Sequence, residues 1–90
     1  APRSAPFVCE VADSSLRFDR IEKLPLYATA GVSEYLIVNV KAQELEQYLG
    51  PTKSGTYRKK HLYRGASPFT STALPAVTLV PEQLFAKLKR

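Results

Sequence analysis

Apolar and polar residues alternate near the start of the chain, and this pattern predicts a strand over residues 6–12. Its two faces would carry Phe7, Cys9 and Val11 on one side and Val8, Glu10 and Ala12 on the other. Because both faces are largely apolar, we expect this strand to be central in its sheet, with Glu10 as the exception.

A helix is predicted next, over residues 13–31, with Ser14 or Ser15 as N-cap and Gly31 as C-cap. Two stripes of side chains, each with apolar members, run along the predicted helix. The expected core stripe is Ile21, Leu24 and Ala28, and the second stripe is Leu16, Arg20, Lys23 and Tyr27. Pro25 conflicts with a regular helix because it lacks an N–H, so we expect a kink or a tightened turn there.

The remainder of the chain predicts a strand, a hairpin and a helix. Residues 34–40 are rich in β-branched and aromatic side chains, which is typical of a buried strand. Residues 45–49 and 56–63 flank a turn-rich segment and predict an antiparallel hairpin. After a loop with a short edge strand, residues 81–90 predict a helix that begins at Pro81, with Leu84, Phe85 and Leu88 on one face.

Composition narrows the class of protein. The 90 residues and the hydrophobic fraction of 44% fit one small folded domain or part of one. Cys9 and His61 are single residues of their types, which excludes an internal disulfide and a Cys/His zinc site. We expect a cytoplasmic protein, because no apolar run is long enough for a membrane span and no secretory segment is visible.

The net charge of +5 is unevenly distributed, with −2 over residues 1–46 and +7 over residues 47–90. This asymmetry fits an acidic active-site end beside a basic end that attracts phosphate, but composition alone favours an ordinary solvated surface. The basic end includes Arg58, Lys59, Lys60 and Arg64, interleaved with tyrosines, which would suit backbone phosphates. Strand alternation splits these charges between two faces, so a solvated hairpin is the competing interpretation.

Glu10 is the most informative candidate for chemistry, because a carboxylate within an apolar strand is costly to bury unless it is paired or binds a cation. Lys23 lies about two turns into the following helix, from where its ammonium could reach Glu10. The alternatives are a structural ion pair or solvated strand end for Glu10, and an exposed i, i+4 pair with Asp19 for Lys23.

Asp13 and Asp19 are supporting candidates. Asp13 is also explained as a partner of the helix dipole, and Asp19 either pairs with Lys23 or lies near the site. We interpret His61 as a surface residue. Cys9 is interpreted as a small core residue, since no histidine lies nearby in the sequence to activate its thiol.

The segment from Glu10 to Val40 closely resembles the signature of the Uma-two family of endonucleases, in the PD-(D/E)XK nuclease superfamily. The resemblance spans about residues 6–88. It rests on Glu10-Val11, Asp13-Ser14-Ser15, Asp19-Arg20, Lys23, Tyr27-Ala28, Gly31-Val32, Glu34 and Ile37-Val38. It implies a restriction-endonuclease-like α/β core, here the C-terminal half: a central strand, a helix, a strand, an antiparallel hairpin and a terminal helix.

The resemblance also implies metal-dependent hydrolysis of phosphodiester bonds in DNA. Glu10 matches the second acidic metal ligand, and Mg²⁺ or Mn²⁺ would suit its hard oxygen atoms. The lysine that usually follows two residues later is Ala12 here, and its role maps to Lys23 on the helix. The family's first acidic ligand lies upstream of Glu10, where this chain has nine residues and none is acidic. We therefore expect a single partial domain over residues 1–90 that is not an efficient nuclease by itself.

Two other functions remain open. The first is a non-catalytic nucleic-acid-binding or regulatory module, whose salt-sensitive DNA binding through the basic residues would survive replacement of Glu10. The second is an assembly module, because a partial sheet exposes an edge that can pair with another chain, including a second copy in a homo-oligomer.

Overall fold

The computed structural model describes residues 6–88 as an α/β protein with a mixed four-stranded sheet. Strands β1 (Phe7–Ala12) and β2 (Glu34–Asn39) are parallel and are joined by a helical crossover. Strands β3 (Glu44–Pro51) and β4 (Tyr57–Arg64) continue the sheet as an antiparallel hairpin. The predicted order of strand, helix, strand and hairpin is therefore confirmed.

The strand order is β1-β2-β3-β4, which corrects the predicted central position of β1. Within residues 6–88, β1 pairs with β2 alone, and β2 and β3 are the inner strands. This explains why Cys9 is exposed and Val11 retains 61% of its accessible surface. Cys9 is thus an exposed residue of the edge strand, and its interpretation as a core residue was wrong.

The middle of the helical crossover between β1 and β2 is not α-helical. It begins as the short helix α1 (Leu16–Phe18), widens into a π-helical turn (Asp19–Lys23) and ends as α2 (Leu24–Thr29). The turn before Pro25 is therefore widened, where a kink or a tightened turn was predicted. A wide turn gives the proline ring room and avoids the carbonyl clash that an α-helix would impose.

The widened turn also changes which helical stripe meets the sheet. Ile21, predicted as core, is 53% exposed, whereas Leu24 and Ala28 pack inward. Leu16 and Tyr27 of the second stripe contact the apolar cluster beneath. Ser15 occupies the N-cap position as predicted, but its hydroxyl makes no capping hydrogen bond and instead bonds to Asp19 at 3.2 Å.

Each face of the sheet has its own apolar cluster. The cluster under the crossover helix is centred on Ala12, Tyr35, Ile37 and Tyr48. The opposite cluster contains Leu36, Val38, Leu45, Phe69 and Phe85. It is covered by a two-stranded sheet of β5 (Phe69–Thr70) and β6 (Thr78–Leu79) and by helix α3 (Pro81–Leu88).

Helix α3 begins at Pro81 as predicted, and its last two predicted residues lie outside the described part of the chain. Leu84 and Phe85 pack on the sheet, whereas Leu88 is 44% exposed. Within residues 6–88, no helix has the length and apolar character needed to cross a bilayer.

The hairpin turn supports the crossover helix. Gly55 is buried with φ at +88°, and a Cβ there would lie 3.3 Å from the Thr29 hydroxyl and 3.4 Å from Pro25 Cβ. A side chain at Gly55 would therefore be strained and crowded against α2. Tyr57 donates a hydrogen bond to the carbonyl of Val32 at 2.7 Å, which fixes the end of the crossover to the hairpin.

Glu34 is a fully buried carboxylate that holds the loop before β6 against the sheet. One oxygen accepts from Ser71 at 2.6 Å and from the Ala73 amide at 2.9 Å, and the other from Gln47 at 2.5 Å and the Thr72 amide at 3.2 Å. Burial alone would raise the pKa of Glu34, but these hydrogen bonds outweigh burial and hold the pKa below its ordinary value.

Replacing Glu34 by glutamine is expected to lower the free energy of unfolding by roughly 2 to 3 kcal/mol at neutral pH. Both oxygens of Glu34 accept hydrogen bonds, so the amide nitrogen of glutamine would face N–H or O–H donors in either orientation. A group with a lowered folded pKa stabilises the protein above its unfolded pKa of about 4.3, and this contribution is lost as pH falls through the folded value. The difference between native and E34Q proteins should therefore shrink in acid. Urea unfolding across this pH range checks it, with the exposed Glu82→Gln as control. A difference that stays constant or grows in acid would contradict the charged form of Glu34.

Candidate active site

Glu10 lies on the face of β1 that is covered by the crossover helix, in register with Ile37 of β2. Its Oε2 atom accepts a hydrogen bond from Tyr27 Oη at 2.7 Å and one from Lys23 Nζ at 3.3 Å. Its side chain is 24% exposed. The structure thus brings together the two residues that were the strongest candidates in the sequence, although their catalytic role stays a prediction.

Lys23 lies between two carboxylates. Besides Glu10, its ammonium is 3.7 Å from Oδ1 of Asp19, which is almost fully buried. Asp19 therefore fulfils both interpretations at once, since it is the i, i+4 partner of Lys23 and lies beside the candidate site. The ammonium also stands 5.8 Å from the centre of the Phe18 ring, a favourable position for a cation.

The surroundings of Lys23 favour its charged form. The hydrogen bond to Glu10 is the largest cause, and it raises the pKa of Lys23 above the ordinary lysine value, with a further contribution from the charge of Asp19. The same carboxylate raises the pKa of Tyr27, chiefly through their hydrogen bond. Both groups are therefore protonated hydrogen-bond donors at neutral pH, and Lys23 carries a positive charge.

Arg20 forms a second ion pair on the same face of the sheet. Its guanidinium donates from Nε to Glu46 Oε1 at 3.1 Å and from Nη2 to Glu46 Oε2. Glu46 is fully buried on β3 and also accepts a hydrogen bond from Tyr48 Oη at 2.8 Å. Burial would raise the pKa of Glu46, but the Arg20 and Tyr48 bonds lower it overall.

Sequence reasoning missed Glu46, Tyr48 and the hydroxyl of Tyr27 as members of this site. The helical stripe that contains Arg20, Lys23 and Tyr27 was a usable signal, since these three side chains all reach the sheet. Glu46 offered no comparable signal, because a glutamate that alternates with apolar residues in a hairpin strand ordinarily faces water.

Asp13 is exposed and, among the described residues, its side chain makes no hydrogen bond or ion pair, so the structure does not pair it with Glu10 or Lys23. A groove lined by Ser14, Ser15, Arg17, Phe18, Ile21 and Glu22 runs beside the helix but does not include Glu10 or Lys23. The pair consequently meets on a partly open surface and does not line that groove.

The basic residues of β4 are exposed and divided between two faces, as alternation predicted. Lys60 and Arg64 lie opposite Tyr48 and Glu44, on the face that carries Glu10, whereas Lys59 lies opposite Leu49. Arg64 is paired with Glu44, and Lys60 stands 5.6 Å from the centre of the Tyr48 ring. Arg58 packs beside Gly50, and His61 is exposed as predicted.

The donor set around Glu10 fits part of a metal site. Its Oε1 atom has no protein partner within residues 6–88, and a carboxylate oxygen is the donor that Mg²⁺ or Mn²⁺ prefers. However, the described residues form no group of three or more acidic, histidine or cysteine side chains that could hold a metal ion. Among the described residues, Glu10 would therefore supply one ligand and not a complete metal site.

The fold and these contacts define an α/β protein with paired carboxylates and basic side chains on one face of a mixed sheet. Within this broad class, residues 1–82 match the model of the Uma2 family, described as "Putative restriction endonuclease". The match covers most of the chain, so the chain belongs to this family, and the resemblance seen in the sequence is confirmed. A search of curated proteins finds no match.

Proposed function

We propose that the chain takes part in metal-dependent hydrolysis of phosphodiester bonds in DNA, with Glu10 and Lys23 in the active site. The contact of 3.3 Å between these two side chains, in a member of an endonuclease family, is the observation that carries the proposal. The parallel β1-β2 pair with its helical crossover and the following hairpin support a partial restriction-endonuclease-like core.

Mg²⁺ or Mn²⁺ is the proposed cofactor, and Glu10 would hold it through Oε1. When bound, such an ion acidifies a water molecule and stabilises the negative charge of the transition state. Because a single carboxylate holds a divalent ion weakly, the site would need a further acidic side chain from outside residues 6–88. By itself the chain is expected to cleave slowly.

Each of the chain's own residues has a distinct part in this proposal. Tyr27 fixes the orientation of the Glu10 carboxylate by donating to Oε2. Lys23 keeps its positive charge beside that carboxylate, where it can donate a hydrogen bond to a phosphate oxygen or orient the attacking water. Lys60 lies on the same face, on β4, and would contact a neighbouring backbone phosphate.

Relaxation of supercoiled plasmid DNA tests the proposal. The purified chain at micromolar concentration should nick the plasmid slowly in Mn²⁺ or Mg²⁺ and should stop when EDTA removes the metal. Cleavage that continues in EDTA, or no cleavage with any divalent metal, would contradict it.

A non-catalytic DNA-binding module is the second candidate, and the incomplete metal site among the described residues favours it. It predicts salt-sensitive binding that depends on Arg58, Lys59, Lys60 and Arg64 and is unchanged when Glu10 is replaced. Binding of a labelled duplex at several salt concentrations, measured beside the plasmid assay, separates the two candidates.

A further inference from the structure

Two cationic side chains extend from the same helical turn and pair with carboxylates on different strands. Arg20 and Lys23 both belong to the π-helical turn, yet Arg20 pairs with Glu46 of β3 and Lys23 with Glu10 of β1. Glu10 and Glu46 are both in register with Ile37 of β2, one on either side of it. The turn is therefore attached to the sheet at two points that straddle the inner strand.

The two attachments differ in strength. Glu46 is fully buried and receives two hydrogen bonds from one guanidinium as well as the Tyr48 hydroxyl bond. Bidentate bonds to a buried carboxylate are specific in geometry, and removing the cation leaves a costly unpaired charge. The Lys23–Glu10 contact is single, longer and partly exposed on both sides, so its own contribution to stability is small.

The helical geometry links the two attachments. Within the π-helical turn the amide of Leu24 bonds to the carbonyl of Asp19, five residues earlier. Such turns are rare and persist where surrounding contacts support them. Relaxation to α-helical geometry would rotate the side chains that follow about the helix axis, which would turn Lys23 and Tyr27 away from Glu10.

We propose that Arg20 is a positioning residue, whose bidentate ion pair with the buried Glu46, itself bonded to Tyr48, holds the π-helical turn so that Lys23 and Tyr27 reach Glu10. The inference rests on the proposed function in taking the Glu10–Lys23 pair as the active site. Arg20 itself acts through these neighbours and needs no contact with the substrate.

Arg20→Ala tests the inference by structure and by activity. In the crystal structure of R20A, Lys23 Nζ should lie beyond about 4 Å from Glu10, the limit of an ion pair. In the plasmid assay kcat should fall about tenfold with KM for DNA nearly unchanged, as expected for a displaced group. Arg17→Ala is the matched control, since Arg17 is an exposed arginine of the preceding helix and, among the described residues, has no side-chain partner.

Arg20→Lys and Tyr48→Phe complete the test. Lysine keeps the charge but cannot form the bidentate bond, so R20K should recover part of the lost activity. Y48F removes one bond to Glu46 and decides the matter if both Arg20 variants fail to fold, since it should lengthen the Lys23–Glu10 contact to a smaller extent.

An unchanged Lys23–Glu10 contact in the folded variants would overturn the inference, even if no variant cleaves DNA. If the native protein itself does not cleave DNA, that result would instead count against the proposed function.

Discussion

Replacing Glu10 by glutamine is expected to reduce metal-dependent nicking of plasmid DNA about 100-fold or more, to background, while the protein stays folded. Glutamine has nearly the same shape, so the packing of β1 is preserved. Its neutral amide is a poor ligand for Mg²⁺: its oxygen can still accept from Tyr27 and Lys23, which leaves the NH₂ group at the Oε1 position where the ion would bind. Initial nicking rates and circular dichroism spectra of the two proteins check this expectation.

Glu22→Gln is the matched control for Glu10→Gln. It makes the same change of charge on the crossover helix, where Glu22 is exposed. E22Q should nick plasmid at nearly the native rate. If E10Q also retains native activity, Glu10 has no part in catalysis. If E10Q loses nicking but binds duplex DNA as the native protein does, the loss lies in the chemical step.

Replacing Lys23 by methionine is expected to lower kcat for nicking roughly 30- to 100-fold, with a small effect on DNA affinity. Methionine keeps most of the side-chain volume and removes the charge that adjoins Glu10. Lys23→Arg should retain more activity than K23M, because it keeps a cation at that point. Lys41→Met, at an exposed lysine outside the candidate DNA-binding residues, is the control for general loss of charge and should leave kcat unchanged.

The pH dependence separates the two roles that a lysine could take. Because the pKa of Lys23 is raised, its ammonium persists well above neutral pH. The ratio of native to K23M nicking rates, in which the effect of pH on the metal-bound water cancels, should therefore hold until pH passes the ordinary lysine pKa of about 10.4 and then decline. A general base would show the opposite behaviour, with activity that climbs as the lysine loses its proton. Lysine-dependent activity that rises with pH through this range would contradict the cationic role.

Local sequence patterns were sufficient for most of the secondary structure. The alternation around Glu10 and the apolar run after Glu34 predicted β1 and β2 nearly to their observed ends, and the turn residues predicted the hairpin. These elements depend on side-chain periodicity and on turn chemistry, which are local properties. The edge position of β1 is set by which strands pair, and a largely apolar strand can lie at an edge as well as in the centre.

The helix shows where periodicity fails. Ile21, Leu24 and Ala28 share a stripe only if each turn is α-helical, and the widened turn before Pro25 moves Ile21 to the surface. Pro25 indicated that the helix would be irregular there, but not whether the turn would be widened or tightened. The buried networks of Glu34 and Glu46 were also beyond prediction, since their donors come from residues up to 39 positions away along the chain.

The candidate site was predictable in part for a physical reason. Glu10 stood out because a carboxylate is costly in an apolar strand, and Lys23 stood out through the family resemblance. Neither feature indicated that Tyr27 binds the same oxygen or that Arg20 attaches the turn to Glu46. Those contacts require the crossover helix to pack on the sheet in one orientation about its own axis, and the π-helical turn determines that orientation.

Glu10 as a metal ligand is the central claim, and paramagnetic broadening by Mn²⁺ tests it most directly, because it detects even weak binding and needs no cleavage. Increasing Mn²⁺ added to the isotopically labelled chain should broaden NMR signals first around Glu10, Lys23 and Tyr27. Excess Mg²⁺ should reverse the broadening, and E10Q should abolish it. Broadening centred elsewhere, or unchanged in E10Q, would contradict the claim.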